Sequence, residues 1–202
     1  YIYNLPPTAG RSEAVYERKS FGFGEEDVIV VSTGRITKDK GYPVLQEVIK
    51  RFKEHPQVRF LIAGTGSYLE TMRKELSEQE AGEQVRFLGY RDDVERILPM
   101  CDIFVLPTLH ETLSNSLLEA SEFGIPLVGS NVGGVPEIIE SGYNGLLVEK
   151  GNVEELYRAV EYLAGHADER KKMGLNAGKK LADKFAEEEL LDKVKIVYKR
   201  LL

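Results

Sequence analysis

Residues 102–123 read DIFVLPTLHETLSNSLLEASEF. The apolar run over residues 102–106 is typical of a strand that is covered on both faces. Residues 114–123 place apolar side chains on one face, which is typical of a helix. Because the chain must cross back over the sheet before a parallel neighbour can begin, a strand followed at once by a helix favours a parallel sheet.

The same alternation of strand and helix runs through most of the chain. Apolar runs predict strands over residues 28–32, 58–63, 85–88, 102–106, 126–129 and 145–148. Helical spacing predicts helices over residues 42–52, 94–100, 114–123, 168–182 and 186–201, with a helical turn near 135–140. Ser67 with Glu70, and Asn152 with Glu155, have the spacing of a capping box at two further helix starts. The sequence therefore predicts an α/β fold, a parallel sheet with helices on both faces.

Composition narrows the class of protein. The chain has 202 residues, a formal net charge of −6 and one cysteine, Cys101. The acidic balance argues against general binding to nucleic acid but leaves a local anion site open. A single cysteine excludes an internal disulfide and fits a reducing compartment. No apolar run in this chain approaches the roughly 20 residues of a transmembrane helix, so we expect a globular, cytoplasmic protein.

The first 24 residues differ from the rest. Residues 1–24 are rich in turn-forming residues and read as a linker, in which a helix from about Ser12 to Phe21 fits the pattern. We assign residues 25–202 to one domain that includes the C-terminal helices. The chain begins with Tyr1, and we interpret it as part of a longer protein.

Two carboxylates flank the predicted start of the helix at 114–123. Glu111 lies in the loop that leaves the strand, and Glu119 lies about one turn into the helix. Both can face the carboxyl edge of the sheet, where parallel α/β proteins bind ligands. The amides between them are free to bind an anion. Carboxylates can accept hydrogen bonds from hydroxyl groups. Two carboxylates beside an anion site therefore suit a phosphorylated sugar or a nucleotide sugar.

Loops after the first two predicted strands add candidates. Gly34-Arg35 and Lys40 offer two cations that suit phosphate oxygens, although a solvated charged loop is the alternative. Gly64-x-Gly66 lets the backbone approach a ligand closely. Residue 69, where the dinucleotide fingerprint needs a third glycine, is Leu, so a nicotinamide dehydrogenase is poorly supported.

Three further features stay open at this stage. The backbone at Tyr90 is placed to read a nucleobase, or the residue packs in a turn. Gly133-Gly134 forms an anion-binding nest or a tight turn. His110 is the one histidine beside the candidate site, and no His, Cys and carboxylate set has the spacing of a metal site.

The motifs occur together in one order. They are Gly34-Arg35 with Lys40-Gly41, Gly64-x-Gly66, Phe87-Leu88-Gly89, Glu111-x7-Glu119, Gly133-Gly134-x-x-Glu137 and Gly142-x-Asn144-Gly145. This order resembles the carboxyl-terminal half of a retaining glycosyltransferase with the GT-B fold, in the family called glycosyl transferase group 1 or GT4. The resemblance covers about residues 28–165 and implies a Rossmann-like sheet that forms one half of a GT-B fold.

The resemblance implies roles for the candidate residues. Arg35 and Lys40 would hold the diphosphate of the donor, Glu119 would bind the ribose hydroxyls, and Glu111, the candidate catalytic residue, would contact the donor sugar. Further donor-binding candidates lie in the loops, namely Gly34, Gly66, Tyr90, His110, Leu113 and Ser114. No tightly bound cofactor or metal is implied. Thr112 stands where the family often has a glycine, and threonine disfavours a positive φ.

The function expected from this resemblance is donor binding in a glycosyltransferase that retains anomeric configuration. The donor would be a UDP-, GDP- or ADP-linked sugar, and the base stays open. An amino-terminal acceptor domain of the same enzyme would be the missing partner, so the isolated chain would transfer little. Parts outside this chain could hold the enzyme at a membrane surface. The alternatives are a non-catalytic interaction module and a nucleotide-sugar epimerase with the GT-B fold.

Overall fold

The computed structural model describes residues 15–184. A six-stranded sheet in the order β3-β2-β1-β4-β5-β6 forms its centre, and every neighbouring pair of strands is parallel. The strands are β1 (Val28–Thr33), β2 (Val58–Ala63), β3 (Val85–Gly89), β4 (Ile103–Leu106), β5 (Leu127–Ser130) and β6 (Gly145–Val148). Each predicted strand is confirmed to within one residue.

Helices alternate with the strands along the chain. They are α1 (Tyr42–Arg51), α2 (Leu69–Glu78), α3 (Val94–Ile97), α4 (Asn115–Glu122), α5 (Val135–Ile138), α6 (Val153–Gly165) and α7 (Ala167–Lys184). Within residues 15–184, no helix is both long enough and apolar enough to cross a bilayer. The predicted helix over residues 186–201 lies outside the described residues.

The sheet divides the core into two layers. Val28 and Val30 of β1 face a cluster formed with α1, α2 and α6. Ile29 and Val31 face the opposite cluster, which includes residues of α4. All six residues of β1 are buried, as its continuous apolar run predicts for a central strand. The expected α/β sheet with helices on both faces is therefore confirmed.

The order of the strands reverses at the centre of the sheet. The chain proceeds from β1 outward to β3, then returns to place β4 on the other side of β1. The loops after β1 and β4 leave the sheet side by side at this reversal, and a crevice forms at the carboxyl ends of the strands. This geometry gathers the loops that carry the predicted site.

Two of the predicted helix starts have different outcomes. Asn152 is confirmed as the N-cap of α6, because its side chain accepts from the amide of Glu155. The cap at Ser67 is wrong, since α2 begins at Leu69 and its N-cap, Tyr68, makes no side-chain capping bond. Tyr68 is buried, and its amide donates to the carbonyl of Ile36 at 3.0 Å, which holds the preceding turn against the β1–α1 loop.

Two other helical segments are shorter than expected. In the described part of the predicted helix at 12–21, only Arg18–Phe21 is helical, as a single 3₁₀ turn. The helix expected over residues 94–100 is α-helical only at Val94–Ile97 and continues as a 3₁₀ turn at Leu98–Met100. Residue 99 in this turn is proline, which cannot continue the α-helical hydrogen bonds. The division between a linker at residues 1–24 and a domain at residues 25–202 stays a prediction.

Helix α7 packs closely on α4 through glycine. A methyl group at Gly174 would lie 2.0 Å from the carbonyl oxygen of Gly124, just after α4. One turn further along α7, a methyl group at Gly178 would lie 3.5 Å from the carbonyl oxygen of Ser121, an ordinary contact distance. The two glycines therefore differ in their packing although both lie within one helix.

This difference predicts opposite effects of the same substitution. Gly174→Ala should lower the free energy of unfolding by about 1–3 kcal/mol, because α7 must move away from the backbone carbonyl of Gly124 to make room for the methyl group. Gly178→Ala is the matched control and should be neutral or stabilise by up to about 1 kcal/mol, since alanine favours a helix. Urea denaturation of the two variants measures both values, and an equal gain in stability from both would contradict the close contact.

Candidate functional site

A cavity of about 470 Å³ lies at the carboxyl ends of β1 to β4, and we call it the switch-point cavity. Its size is within the range of small-molecule sites. Eight of the predicted site residues line it: Gly34, Arg35, Lys40, Tyr90, Glu111, Leu113, Ser114 and Glu119. The other lining residues are Ser32, Thr33, Tyr42, Ala63, Gly64, Thr65, Arg91, Val94, Leu106, Pro107, Asn115 and Ser116.

The loops after β1 and β4 are joined across the cavity. Lys40 Nζ donates to Glu111 Oε2 at 3.0 Å, and the two side chains are 23% and 12% exposed. The amide of Leu109 donates to the carbonyl of Asp39 at 3.0 Å. Lys40 and Glu111, which are 71 residues apart in sequence, thus form an ion pair between two backbone segments that are themselves in contact.

Gly41 makes this contact between the loops sterically allowed. Its φ is +74°, and a methyl group on its Cα would lie 1.7 Å from the carbonyl oxygen of Pro107. A side chain at this position would force the β1–α1 loop away from the β4–α4 loop. Gly41 therefore fixes the separation at which Lys40 can reach Glu111.

The amino terminus of α4 points its amides at the same cavity. Ser114 is the N-cap, and its Oγ accepts from the amide of Leu117 at 3.3 Å. Within the described part of the chain, the amides of Asn115 and Ser116 have no hydrogen-bond partner. Free amides at a helix start, beside the cations Arg35 and Lys40, form a site that favours an anion.

Glu119 differs from Glu111 in its surroundings. Glu119 is partly buried on α4, and its carboxylate has no hydrogen-bond or ion-pair partner among residues 15–184. Burial, together with the negative charges of Glu122 and Glu95, raises the pKa of Glu119 above its usual range. A carboxylate that lacks a partner and is open to a cavity is suited to accept hydrogen bonds from ligand hydroxyls.

The glycine pair after β5 has a packing role. Methyl groups at Gly133 and Gly134 would lie 1.6 Å and 1.9 Å from the carbonyl oxygens of Glu111 and Thr112, respectively. The amide of Gly134 also donates to the Glu111 carbonyl at 3.4 Å. The pair therefore lets the turn after β5 press against the loop that carries Glu111. Thr112 itself has no positive φ, so the path of this loop does not require a glycine at position 112.

Two predicted residues lie outside the switch-point cavity. His110 is exposed and lines a neighbouring cavity with Glu111, Lys40 and Arg35. Gly66 lines neither of these two cavities. A methyl group at Gly66 would lie 2.3 Å from the carbonyl oxygen of Ile36, so this glycine permits a close approach between two loops. Ligand contacts by His110 and Gly66 remain predictions.

The structure also bears on metal binding and on the reactivity of the one cysteine. No group of three His, Cys, Asp or Glu side chains within residues 15–184 is arranged to hold a metal ion. Cys101 is buried, and burial raises the pKa of its thiol far above the usual range. A thiol that stays protonated is a poor nucleophile, so Cys101 is suited to packing in the core and not to catalysis.

Sequence reasoning did not single out several residues of the cavity wall. Tyr42 is buried at the start of α1, and its hydroxyl lies 3.4 Å from that of Ser32. Asn115 and Ser116 also line the cavity, and the free backbone amides that they offer are not signalled by residue type. Arg91 directly follows Tyr90, but the pattern Arg-Asp-Asp at residues 91–93 is common on solvated surfaces and gives no reason to choose Arg91.

The geometry agrees with what comparison with known proteins finds. The profile of the family described as "Glycosyl transferases group 1" matches residues 16–180. The chain belongs to this family. The lipopolysaccharide core biosynthesis glycosyltransferase LpsE of Rhizobium meliloti (strain 1021) is 30% identical over 183 residues, which cover 91% of this chain and 53% of LpsE. The chain spans about half the length of the curated relatives that it matches.

Solved structures show the same fold. The chain superposes on the Anabaena protein HepE in complex with UDP-glucose with a TM-score of 0.84 at 21% identity, covering 91% of this chain and 51% of HepE. It superposes on the C-terminal domain of LpcC, a group 1 family protein from Francisella tularensis, with a TM-score of 0.73 at 20% identity, covering 84% of this chain and 98% of that domain. The expected Rossmann-like fold of GT-B glycosyltransferases is confirmed.

The setting of Glu119 predicts an effect of pH on stability. Because its pKa is raised, the folded state holds the proton more tightly than the unfolded chain does, so this group favours folding at low pH and loses that contribution as the pH rises. Glu119→Gln should therefore be more stable than the parent at pH 7, by less than about 1 kcal/mol because the side chain is only partly buried. The gain should shrink towards about pH 4.

Urea denaturation at the two pH values measures this difference. Glu26→Gln, which changes an exposed carboxylate, is the control and should leave stability unchanged at both. A parent that is more stable than Glu119→Gln at pH 7 would show that the Glu119 carboxylate is favourably solvated.

Proposed function

We propose that this chain is the donor-binding half of a retaining GT4 glycosyltransferase that uses a nucleotide-diphosphate sugar. The observation that carries the proposal is the arrangement of the switch-point cavity. Two cations, the free amides of a helix start and two carboxylates surround one space of suitable size. Membership of the family and the likeness to HepE, whose structures contain UDP and UDP-glucose, support this assignment.

The diphosphate belongs at the cationic side of the cavity. Arg35 is exposed and has no hydrogen-bond or ion-pair partner in the described part of the chain, so its guanidinium is available to phosphate oxygens. Lys40 and the amides of Asn115 and Ser116 complete this side. When the bond between sugar and diphosphate breaks, negative charge grows on the leaving oxygen, and these groups stabilise it without rearrangement of solvent.

The two carboxylates serve different parts of the donor. Glu119 accepts from the ribose hydroxyls, since it has no competing partner in the described structure. Glu111 lies beside the cations and contacts the sugar next to the bond that breaks, which makes it the candidate catalytic residue. Its ion pair with Lys40 fixes the carboxylate at the boundary between sugar and diphosphate. No bound metal has a part in this scheme.

Retention of configuration and an acceptor site on a separate domain are parts of the same proposal. Transfer requires the acceptor hydroxyl to be oriented on the sugar, and none of the groups described so far has that task. The chain spans about half the length of LpsE. We therefore place the acceptor site on an amino-terminal domain of the same enzyme.

The diphosphate assignment predicts the effect of removing a cation. Arg35→Ala should weaken binding of a nucleoside diphosphate about 10- to 100-fold, because a charge-assisted hydrogen bond contributes roughly 1.5–3 kcal/mol. Lys40→Met should have a similar effect. Calorimetry with UDP, GDP and ADP measures the dissociation constants and also shows which base is preferred.

Matched controls separate a local effect from a change of net charge. Arg158→Ala and Lys74→Ala each remove a cation from an exposed helix face outside the cavity, and both should bind like the parent. If the parent, folded, binds none of the three diphosphates, or if the controls lose as much affinity as Arg35→Ala, the proposed function fails.

The proposed division of labour also predicts a difference between binding and turnover. The isolated chain should bind the preferred nucleoside diphosphate but should transfer sugar at a rate at least about 1,000-fold below that of the chain joined to its amino-terminal domain, since orientation of the acceptor is lost. A transfer assay with the corresponding nucleotide sugar compares the two. Equal rates would show that one domain is sufficient.

A further inference from the structure

A cluster of charged and aromatic side chains joins the described residues before β1, 15–27, to the wall of the switch-point cavity. We call residues 15–27 the leading segment. The hydroxyl of Tyr16 donates to Asp93 Oδ2 at 2.9 Å and accepts from Arg91 Nη2 at 2.9 Å. The guanidinium groups of Arg91 and Arg96 lie 5.5 Å and 4.4 Å from the centre of the Tyr16 ring. Tyr16 therefore contacts three side chains of the segment that follows β3.

Arg91 is held firmly in this cluster. Its Nε and Nη2 donate to the two carboxylate oxygens of Asp93 at 2.7 Å and 2.6 Å, a two-pronged contact that fixes the plane of the guanidinium. The Nη1 group has no hydrogen-bond partner in the part of the chain that the structure describes. Arg91 lines the cavity and is 28% exposed, so a fixed cation with unused donors borders the ligand space.

Arg91 lies away from the cationic side of the cavity. Arg35 and Lys40 follow β1, whereas Arg91 follows β3, two positions along the sheet. At the usual spacing of strands this separates the two ends of the cavity by about 10 Å. Tyr90 and Val94 line the β3 end with Arg91. A nucleoside diphosphate whose phosphates lie at β1 can therefore extend its nucleoside towards Arg91.

We propose that Arg91 binds the nucleoside part of the donor and that Tyr16 is the positioning residue that holds Arg91 in place. This inference rests on the proposed function, because it takes the ligand to be a nucleoside diphosphate. The guanidinium donates from Nη1 to an oxygen of the nucleoside, in an orientation that Asp93 and Tyr16 fix beforehand. Preorganisation of this kind lowers the entropic cost of binding.

The assignment makes the leading segment part of the binding site. Tyr16 lies 75 residues before Arg91 in sequence and outside the domain expected from the alternation of strands and helices. Its amide also donates to the carbonyl of Arg96 at 3.0 Å, and Nη2 of Arg18 donates to both carboxylate oxygens of Asp102 at 3.0 Å. These contacts fix Tyr16 against the domain, so its hydroxyl can orient Arg91.

The test compares two probes that differ only in the nucleoside. Arg91→Gln should weaken binding of the preferred nucleoside diphosphate about 5- to 30-fold in calorimetry, whereas its affinity for inorganic pyrophosphate should stay within about twofold of the parent. Arg158→Gln is the matched control, because it too removes a guanidinium paired with a carboxylate. It should change neither affinity.

The role of Tyr16 is tested by a double-mutant cycle. Tyr16→Phe keeps the ring and removes the hydroxyl that contacts Arg91 and Asp93. It should weaken binding of the nucleoside diphosphate about two- to fivefold in the parent, and it should have no further effect in the Arg91→Gln background. Pyrophosphate affinity should be unchanged in both variants, a result that a general loss of structure would not give.

Each outcome decides the assignment. Equal loss of affinity for both probes in Arg91→Gln would make Arg91 a phosphate ligand, and unchanged affinity for both would make the cluster purely structural; either result overturns the inference. An additive effect of Tyr16→Phe in the Arg91→Gln background would remove the positioning role. If the parent binds neither probe, the proposed function fails instead, so the two failures can be told apart.

Discussion

The close contact between the loop after β1 and the loop after β4 is the constraint on which the site depends. The reversal of strand order brings these two loops to the same crevice, and Gly41 lets their backbones meet at Pro107. Once the loops are in contact, Lys40 reaches Glu111, and the start of α4 borders the same cavity as Arg35. The site is therefore a consequence of backbone packing before it is a set of side chains.

Much of the fold follows from local patterns. Continuous apolar runs locate the strands to within one residue, because a strand buried on both faces leaves little choice of side chain. Helix starts are harder to predict, as Ser67 shows. The spacing to Glu70 is that of a capping box, yet the burial of Tyr68 and the contact of Gly66 with Ile36 fix the turn and delay the helix. Tertiary packing overrides a local signal there.

Some features of the candidate site can likewise be predicted from the sequence, and others cannot. Residues that follow strands on one edge of the sheet, such as Arg35, Glu111 and Glu119, can be predicted from topology. Contacts between distant segments cannot, because nothing in the sequence near Arg91 indicates that Tyr16 will bind it. The sequence also does not reveal why a glycine is needed at a given position. Gly133 and Gly134 fit an anion-binding nest equally well, and only the structure shows that they leave room for the carbonyls of Glu111 and Thr112.

The ion pair between Lys40 and Glu111 has a consequence for how an anion would enter the proposed donor site. Lys40 already has an anionic partner within the protein, so an arriving diphosphate shares this cation with Glu111 and displaces few dissolved ions there. Exposed Arg35, by contrast, attracts ions from the buffer. Competition by salt should therefore weaken the contact of the diphosphate with Arg35 more than its contact with Lys40, because Lys40 keeps a counter-ion within the protein.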